Sequence, residues 1–109
     1  MSNTHTLVLT EDNFEAQVLQ ADMPVLVDFF GTQCPPCRVL EPVIHELAAE
    51  YAGRARVGTV SVEDHPRLAV DYRVSGVPTV IVFKGGQVAT TFTGIVAKEK
   101  LTAALDSAQ

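Results

Sequence analysis

The sequence predicts an α/β domain in which a central mixed β-sheet of about five strands is flanked by about four helices. Strand-like and helix-like segments alternate along the whole chain, in the order β-α-β-α-β-α-β-β-α. Residues 24–30 form an almost uninterrupted apolar run, which is typical of a central strand covered on both faces. The 109 residues, of which 47% are hydrophobic, suffice for one core, so residues 1–109 are interpreted as a single domain.

The first half of the chain is predicted to hold two strands and two helices. Residues 6–10 form a short strand, and Thr10 is a suitable cap for a helix over residues 11–20. The buried strand 24–30 leads into a longer helix, residues 35–51, in which apolar side chains recur every three or four positions. These apolar positions are Leu40, Val43, Ile44, Leu47, Ala48 and Tyr51.

The second half of the chain is predicted to complete the sheet. Residues 54–62 alternate like a strand, and residues 65–74 form a short helix that begins at a proline. Residues 79–92 form two strands joined by a Gly-Gly turn, and residues 97–107 form the last helix. The inner stripe of that helix consists of Leu101, Ala104 and Leu105.

Charge and hydropathy limit the partners that the chain is expected to have. Eight basic residues against 13 acidic ones give a net charge of −5, and the basic residues are scattered, which argues against a nucleic-acid partner. No apolar run approaches the roughly 20 residues of a membrane-spanning helix, so we expect a soluble protein and no membrane partner. The first residues lack the basic and apolar regions of a secretory signal, so we expect a cytoplasmic location.

Both cysteines of the chain lie in one segment, Cys34-Pro35-Pro36-Cys37. This segment follows the buried strand and opens a helix, where the helix dipole and unpaired backbone N–H groups stabilise a thiolate. Cys34 is therefore the candidate attacking thiol. Cys37 follows one turn later, close enough to form a reversible disulfide, and is the candidate resolving thiol.

A metal site and a purely structural disulfide are the alternatives for this cysteine pair. Zinc usually needs four ligands, and His5, His45 and His65 show no ligand-pair spacing relative to the cysteines, so a zinc site would mainly require a dimer sharing two pairs. A structural disulfide would close a very short loop and would not stay oxidised in the cytosol. The histidines are interpreted as ordinary surface residues, with His45 on the outer face of its helix.

Asp28 is the one polar residue inside the apolar strand. Alternation places it on the same face as Leu26 and Phe30, which predicts a buried carboxyl with a raised pKa. Such an acid behind the cysteine pair could take the proton from Cys37, because general-base catalysis needs a pKa near the working pH. The alternative is an aspartate on the solvent side of the strand.

Nearly the whole chain resembles the thioredoxin family. The resemblance lies in "PVLVDFF" before the two cysteines, a long helix containing a proline after them, then "VSGVPTVIVFKGGQVATTFTG" and a terminal helix. It implies a thioredoxin fold in which Pro78 follows a cis peptide bond and faces the nucleophilic cysteine. The residues that it implies for substrate binding are Gln33, Pro35, Pro36, Val77, Pro78, Gly94 and Ile95.

The resemblance also implies a reaction and its partners. Cys34 would attack a substrate disulfide, and Cys37, deprotonated with help from Asp28, would release the reduced substrate. The protein would bind no cofactor and would act as a monomer, re-reduced by thioredoxin reductase, an NADPH-dependent flavoprotein, or by a dedicated reductase. General reduction of protein disulfides is the leading function. A specialised redox relay or disulfide isomerase with a dedicated partner, and a thioredoxin-fold binding module, are the alternatives.

The sequence departs from the family pattern beside the cysteines. The family pattern Trp-Cys-Gly-Pro-Cys-Lys is replaced here by Gln-Cys-Pro-Pro-Cys-Arg, and the chain contains no tryptophan. Pro35 lacks an N–H that could point toward the sulfur of Cys34, which leaves Cys37 and Arg38 as nearby amide donors. Thr59 stands where the family often has a lysine near the buried acid, so a charge that would lower the pKa of Asp28 is missing.

Overall fold

The computed structural model describes residues 4–109, and it confirms the predicted α/β architecture. Within these residues, five strands form one mixed sheet: β1 (Leu7–Val8), β2 (Val25–Phe30), β3 (Arg56–Ser61), β4 (Thr79–Lys84) and β5 (Gln87–Thr93). Their spatial order is β1-β3-β2-β4-β5. The first three are mutually parallel, whereas β4 runs antiparallel to β2 and β5 antiparallel to β4. Strand β2 therefore lies at the centre of the sheet.

Helices cover both faces of the sheet. They are a short π-helical segment at Glu15–Leu19, then α1 (Pro35–Glu50), α2 (Pro66–Asp71) and α3 (Lys98–Ser107). One apolar cluster joins side chains of α1 and α3 to the sheet, and the other joins side chains of the π-helical segment and α2 to the opposite face. No helix in residues 4–109 is both long and apolar enough to cross a membrane.

Strand β2 contributes to both clusters because its side chains alternate between the two faces. Val25, Val27 and Phe29 pack on the face of the π-helical segment and α2, and Leu26 packs on the face of α1 and α3. Asp28 shares the face of Leu26. The alternation thus directs the single carboxyl group of this strand toward the side of the sheet on which α1 begins.

The first predicted helix is the element in which the structure differs most from the expectation. Thr10 Oγ1 accepts a hydrogen bond from the Asn13 N–H and Asn13 Oδ1 accepts one from the Thr10 N–H, but these bonds close a turn, and Phe14 rather than Thr10 is the N-cap of the helical segment. The chain then forms a turn, and a π-helical segment replaces the expected helix over residues 11–20. Its wide turn closes with the Gln20 N–H donating to the Glu15 carbonyl oxygen.

The remaining elements lie close to their predicted bounds. The first strand is shorter than expected, because only Leu7 and Val8 pair with β3 before the turn closed by Thr10 and Asn13. The predicted hairpin is confirmed: Gly85 and Gly86 join β4 to β5 with φ angles of 60° and 79°, which glycine adopts readily.

Candidate active site

The two cysteines lie at the junction of β2 and α1. Strand β2 ends at Phe30, a short loop follows, and Cys34 is the N-cap of α1. Cys34 and Cys37 form a disulfide with a Cα–Cα distance of 5.3 Å, and each residue is only 5% exposed. The structure thus describes the oxidised form of the pair. The predicted position of Cys34 at a helix N-terminus is confirmed.

The backbone amides near the sulfur of Cys34 are few because two prolines open the helix. The Cys37 N–H is shared between Cys34 Sγ, at 3.1 Å, and the Cys34 carbonyl oxygen, at 3.0 Å. The Arg38 N–H donates to the same carbonyl oxygen, at 3.3 Å. The backbone amides of Cys37 and Arg38 are the two donors expected from the sequence. The amide of Cys37 reaches the sulfur, and the amide of Arg38 stabilises the first turn of the helix.

A carboxylate from the next strand fixes the loop between β2 and the cysteines. Glu63, just beyond β3, accepts hydrogen bonds from the Thr32 N–H at 3.3 Å and 3.2 Å through its two carboxylate oxygens. Gly31 lies against the same group: a Cβ at this position would be 3.3 Å from Glu63 Oε2 and 3.3 Å from Val77 Cγ2. Glu63 is not among the site residues predicted from the sequence. Glu63 could have been predicted from its position shortly after β3, because β3 is parallel to β2 and leads to the same edge of the sheet as the cysteines.

Val77 and Pro78 lie beside the cysteine loop, as the resemblance implied. Phe29 pairs with Thr79, so the residues just before β4 are level with the end of β2. A Cβ on Gly31 would be in contact distance of both Val77, at 3.3 Å, and Cys34 Cβ, at 3.8 Å. The peptide bond between Val77 and Pro78 is cis, which confirms that expectation.

The other predicted groove residues lie next to Pro78. The Gly94 N–H donates to the Pro78 carbonyl oxygen at 2.8 Å, which holds the end of β5 against the start of β4. Ile95 follows and is 59% exposed, a large value for an apolar side chain.

Gln33, Pro35 and Pro36 are also exposed. The buried disulfide is therefore surrounded by accessible polar and apolar side chains.

Asp28 is buried, which confirms the favoured interpretation of the sequence. It is 3% exposed, and its Oδ1 has no hydrogen-bond partner. Its neighbours in register are Thr59 on β3 and Val80 on β4, neither of which is charged. Burial, and secondarily the negative charge of Glu41, raise the pKa of Asp28 from 3.8 to about 7.

A pocket of about 340 Å³ reaches from the buried acid to Cys37. Its lining includes Asp28 of β2, Thr59 of β3, and four residues of α1, which are Cys37, Arg38, Glu41 and His45. A buried acid and the second cysteine therefore share one cavity, as a proton transfer between them requires.

The interpretation of His45 as an ordinary surface residue is wrong. Its side chain is only 14% exposed, its Nδ1 lies 2.7 Å from Thr6 Oγ1, and its Nε2 lies 3.5 Å from Glu41 Oε2. Glu41 and His45 follow Cys37 by four and eight residues, which places all three on one face of α1. This spacing was visible in the sequence and is the signal that the sequence analysis missed.

No group of three or more potential metal ligands occurs among residues 4–109. The cysteine pair, which is joined in a disulfide, is not accompanied there by the histidine or carboxylate ligands that would complete a zinc site within one chain.

Comparison with known proteins gives one consistent result. A model of the thioredoxin family matches residues 5–107. The chain is 41% identical over 101 residues to a thioredoxin of Acidithiobacillus ferridurans, covering 93% of this chain and 94% of that protein. It is 41% identical over 99 residues to a thioredoxin of Allochromatium vinosum, covering 91% and 92% respectively. Thioredoxin 1 of a Nostoc species is 39% identical over 98 residues, covering 90% and 92%.

Proposed function

Because the chain belongs to the thioredoxin family and is a thiol-disulfide oxidoreductase, we propose that Cys34, Cys37 and Asp28 together carry out the reduction of protein disulfides. The observation that supports this assignment best is the pocket in which the buried carboxyl of Asp28 and Cys37 meet. A group that transfers protons needs a pKa near the working pH, whereas an aspartate with only a structural role does not. The raised pKa of a buried acid beside a redox-active cysteine therefore favours a role in proton transfer.

The reaction begins with the dithiol form of the pair. The thiolate of Cys34 attacks one sulfur of the substrate disulfide, and the other substrate sulfur leaves as a thiolate that takes a proton from solvent. Cys37 then loses its proton and attacks Cys34 Sγ, which breaks the mixed disulfide and releases the second substrate thiolate. Two electrons pass to the substrate, and the Cys34–Cys37 disulfide of the structure is the oxidised product.

Asp28 is proposed as the base of the second step. A carboxylate with a pKa of about 7 is unprotonated in roughly half of the molecules at neutral pH, so it can accept the proton of Cys37 and later return it to solvent. The face of β2 on which it lies is the face covered by α1, the helix that carries Cys37. The unpartnered Oδ1 leaves an acceptor site free for that proton.

The substrate groove is proposed to run beside Cys34, along the half-buried Val77 and the buried Pro78. Gly94, which is hydrogen-bonded to Pro78, and the exposed Ile95 are proposed to border it on the other side. An extended substrate strand could pair with the backbone there and present its disulfide to Cys34. The exposed side chains of Gln33, Pro35 and Pro36 are proposed to contact the same substrate.

Reduction of the disulfide after each cycle requires an electron donor. The relatives named thioredoxin support a reductase partner, which we propose to be an NADPH-dependent flavoprotein acting on a monomeric protein in the cytoplasm. A dedicated partner is the second candidate. It is favoured by the exposed Pro35-Pro36 pair and Gln33, which give this chain a different surface beside the disulfide from the Trp-Cys-Gly-Pro-Cys pattern.

Single cysteine variants test the assignment of the two thiols. We expect Cys34→Ser to abolish reduction of a protein disulfide such as that of insulin, because no attacking thiolate remains. We expect Cys37→Ser to accumulate mixed disulfides, because the resolving thiol is missing; mass spectrometry of the trapped products measures this. If both variants still reduced the test protein, the proposed mechanism would be wrong.

The role of Asp28 is tested by separating the two steps. Reaction of the reduced protein with an aromatic disulfide such as dithiobis-nitrobenzoate releases one coloured thiolate in the first step and a second in the resolving step. Asp28→Asn is expected to slow the second release more than the first, by about 10²- to 10⁴-fold. Equal slowing of both phases would contradict a role for Asp28 in proton transfer.

A further inference from the structure

Thr79 is a buried polar residue that the proposed reaction does not use. Among residues 4–109, the buried polar or charged side chains are those of Asp28 and Thr79, at 3% and 4% exposure. Thr79 is the first residue of β4, and residues 80–83, which follow it in the strand, are apolar and buried. Valine has nearly the same shape as threonine and is found more often in such a site, so the hydroxyl group needs a separate explanation.

The hydroxyl of Thr79 closes a turn around Val77 and Pro78. Its Oγ1 donates a hydrogen bond to the carbonyl oxygen of Gly76 at 2.6 Å. The backbone of Thr79 has a fixed position, because it lies in register with β2 on one side and with β5 on the other. The hydroxyl therefore attaches Gly76 to the interior of the sheet.

A second hydrogen bond holds the other end of this turn. The Gly94 N–H donates to the carbonyl oxygen of Pro78 at 2.8 Å. Between the two hydrogen bonds is Val77, whose Cγ2 would lie 3.3 Å from a Cβ on Gly31, a point that is also 3.8 Å from Cys34 Cβ. Loss of the first hydrogen bond would therefore free a backbone segment that lies beside the attacking thiol.

Gly76 has little packing of its own within the described chain. A Cβ at this position would meet no atom within 4 Å, and the residue is exposed. Glycine also restricts its backbone less than other residues do. Because water can reach the carbonyl oxygen of an exposed residue, the fold does not need the hydroxyl of Thr79 to satisfy it. What the hydroxyl adds is a fixed position for Gly76.

We propose that Thr79 is a positioning residue for substrate binding, whose hydroxyl holds the backbone of Gly76 and Val77 in the arrangement with which an extended substrate strand pairs. This inference rests on the proposed substrate groove along Val77 and Pro78. It concerns substrates that present their disulfide within a polypeptide segment, because these can form backbone hydrogen bonds along the groove. A small disulfide reaches Cys34 without such bonds.

The physical basis is preorganisation. A backbone segment that is already held in its bound geometry loses less conformational freedom when a partner binds, so more of the interaction energy appears as affinity. The hydroxyl of Thr79 thus favours polypeptide disulfides over small ones, and the two classes of substrate should respond differently to its removal.

Thr79→Val and Thr79→Ser test this role, because valine keeps the shape without the hydroxyl and serine keeps the hydroxyl. Each reduced protein is mixed with insulin or with dithiobis-nitrobenzoate, and the second-order rate constants are measured. Thr79→Val is expected to react about two- to tenfold more slowly with insulin, the effect of one lost hydrogen bond, and to slow by less than about twofold with the small disulfide. Thr79→Ser is expected to restore the native rate with insulin.

Thr91→Val is the matched control, since it makes the same change at an exposed position of β5. An unchanged rate with insulin in Thr79→Val, equal slowing with both reagents, or the same slowing in Thr91→Val overturns the inference. A Thr79→Ser protein that remains as slow with insulin as Thr79→Val also overturns it, because the hydroxyl would then not be the group responsible.

A separate measurement tests the groove on which the inference rests. In Cys37→Ser with a peptide joined to Cys34 by a disulfide, the NMR signal of the Val77 amide is expected to shift relative to the peptide-free protein. If this signal did not shift in the protein that retains Thr79, the proposed groove would fail, whatever the rates of the Thr79 variants. A shifted Val77 signal together with native rates in Thr79→Val would overturn the role of Thr79 and leave the groove intact.

Discussion

Two prolines decide which backbone amides can reach the sulfur of Cys34. Pro35 and Pro36 have no N–H, so the first donor of α1 that contacts Sγ is Cys37, at 3.1 Å. A hydrogen bond to a thiolate stabilises the charged form. The reactivity of Cys34 therefore depends on a smaller set of amides than a helix start ordinarily offers.

Replacing one proline by glycine tests this dependence. In Pro35→Gly, the additional N–H is expected to increase the fraction of Cys34 present as thiolate, because a further donor stabilises the charge. One hydrogen bond of about 0.5–1.5 kcal/mol corresponds to an alkylation rate about two- to tenfold higher at neutral pH, measured on the reduced protein with iodoacetamide.

Pro66→Gly is the control for the proline substitution, because it makes the same change at the start of α2, away from the cysteines. An unchanged or slower alkylation rate in Pro35→Gly would show that the missing amide does not limit the thiolate.

The residue types of the site were largely predictable, whereas their electrostatic partners were not. Cys34, Cys37 and Asp28 were identified because a cysteine pair at a helix start and an acid in an apolar strand are local patterns. His45 was misinterpreted because its burial depends on Thr6, which is 39 positions away in the chain. A contact between such distant segments depends on the tertiary fold and leaves no periodic signal in either of them.

At the scale of elements, the short strand β1 is attached to the sheet through a glycine. A Cβ on Gly58 would lie 2.7 Å from Leu9 Cδ1 and 3.1 Å from the Leu7 carbonyl oxygen, closer than such contacts normally allow. Gly58 pairs directly with Leu7, and Leu9 is fully buried beside it. The close approach of β1 to β3 therefore requires the absence of a side chain at position 58.

Gly58→Ala is expected to lower the free energy of unfolding by about 1–3 kcal/mol, because the added methyl group must displace Leu9 or the backbone of β1. Urea unfolding followed by circular dichroism measures the change. Gly76→Ala is the matched control, since a Cβ there would meet no atom within 4 Å. Equal losses in the two variants would contradict the steric explanation.

Most elements could be predicted because each has a pattern of its own. The stripe of α1 and the Gly-Gly hairpin agree with the structure to within a few residues. The π-helical segment could not be predicted, because its wider turn differs from an α-helix by a single hydrogen-bond position. Its geometry accompanies the burial of Phe14 and Val18. Phe14 packs against the rings of Tyr72, just after α2, and Phe83 on β4, which are distant in the sequence.

At the scale of the whole molecule, the buried acid opposes the stability of the fold. The central strand β2 buries apolar side chains at nearly every position, and Asp28 interrupts that core with a carboxyl that has an unpartnered oxygen. Burial of a charge is unfavourable, so the folded state prefers the protonated acid. The same preference that would suit Asp28 to its proposed role as a base near neutral pH thus links the stability of the whole domain to pH.

The sign of this linkage follows from the raised pKa. The acid ionises with a pKa of 3.8 in its ordinary state and of about 7 in the folded protein. Below pH 3.8 both states hold the proton. Between pH 3.8 and about 7 only the folded state holds it, so the contribution of Asp28 to stability falls as the pH rises. Above about pH 7 neither state holds the proton. The free energy of unfolding is then lower by about 4 kcal/mol than at acidic pH and no longer changes with pH through Asp28.

Asp28→Asn is expected to remove this loss, because the amide has almost the shape of the acid and no charge. The variant should therefore be more stable than the native protein above neutral pH, with the difference shrinking as the pH falls toward about 4. Urea unfolding of the oxidised proteins across this range measures the difference. Asp22→Asn, at an exposed position, is the control and should show no such trend. A difference that stayed constant with pH, or grew in acid, would mean that Asp28 is not buried with a raised pKa, and its assignment as the base of the resolving step would lose its physical basis.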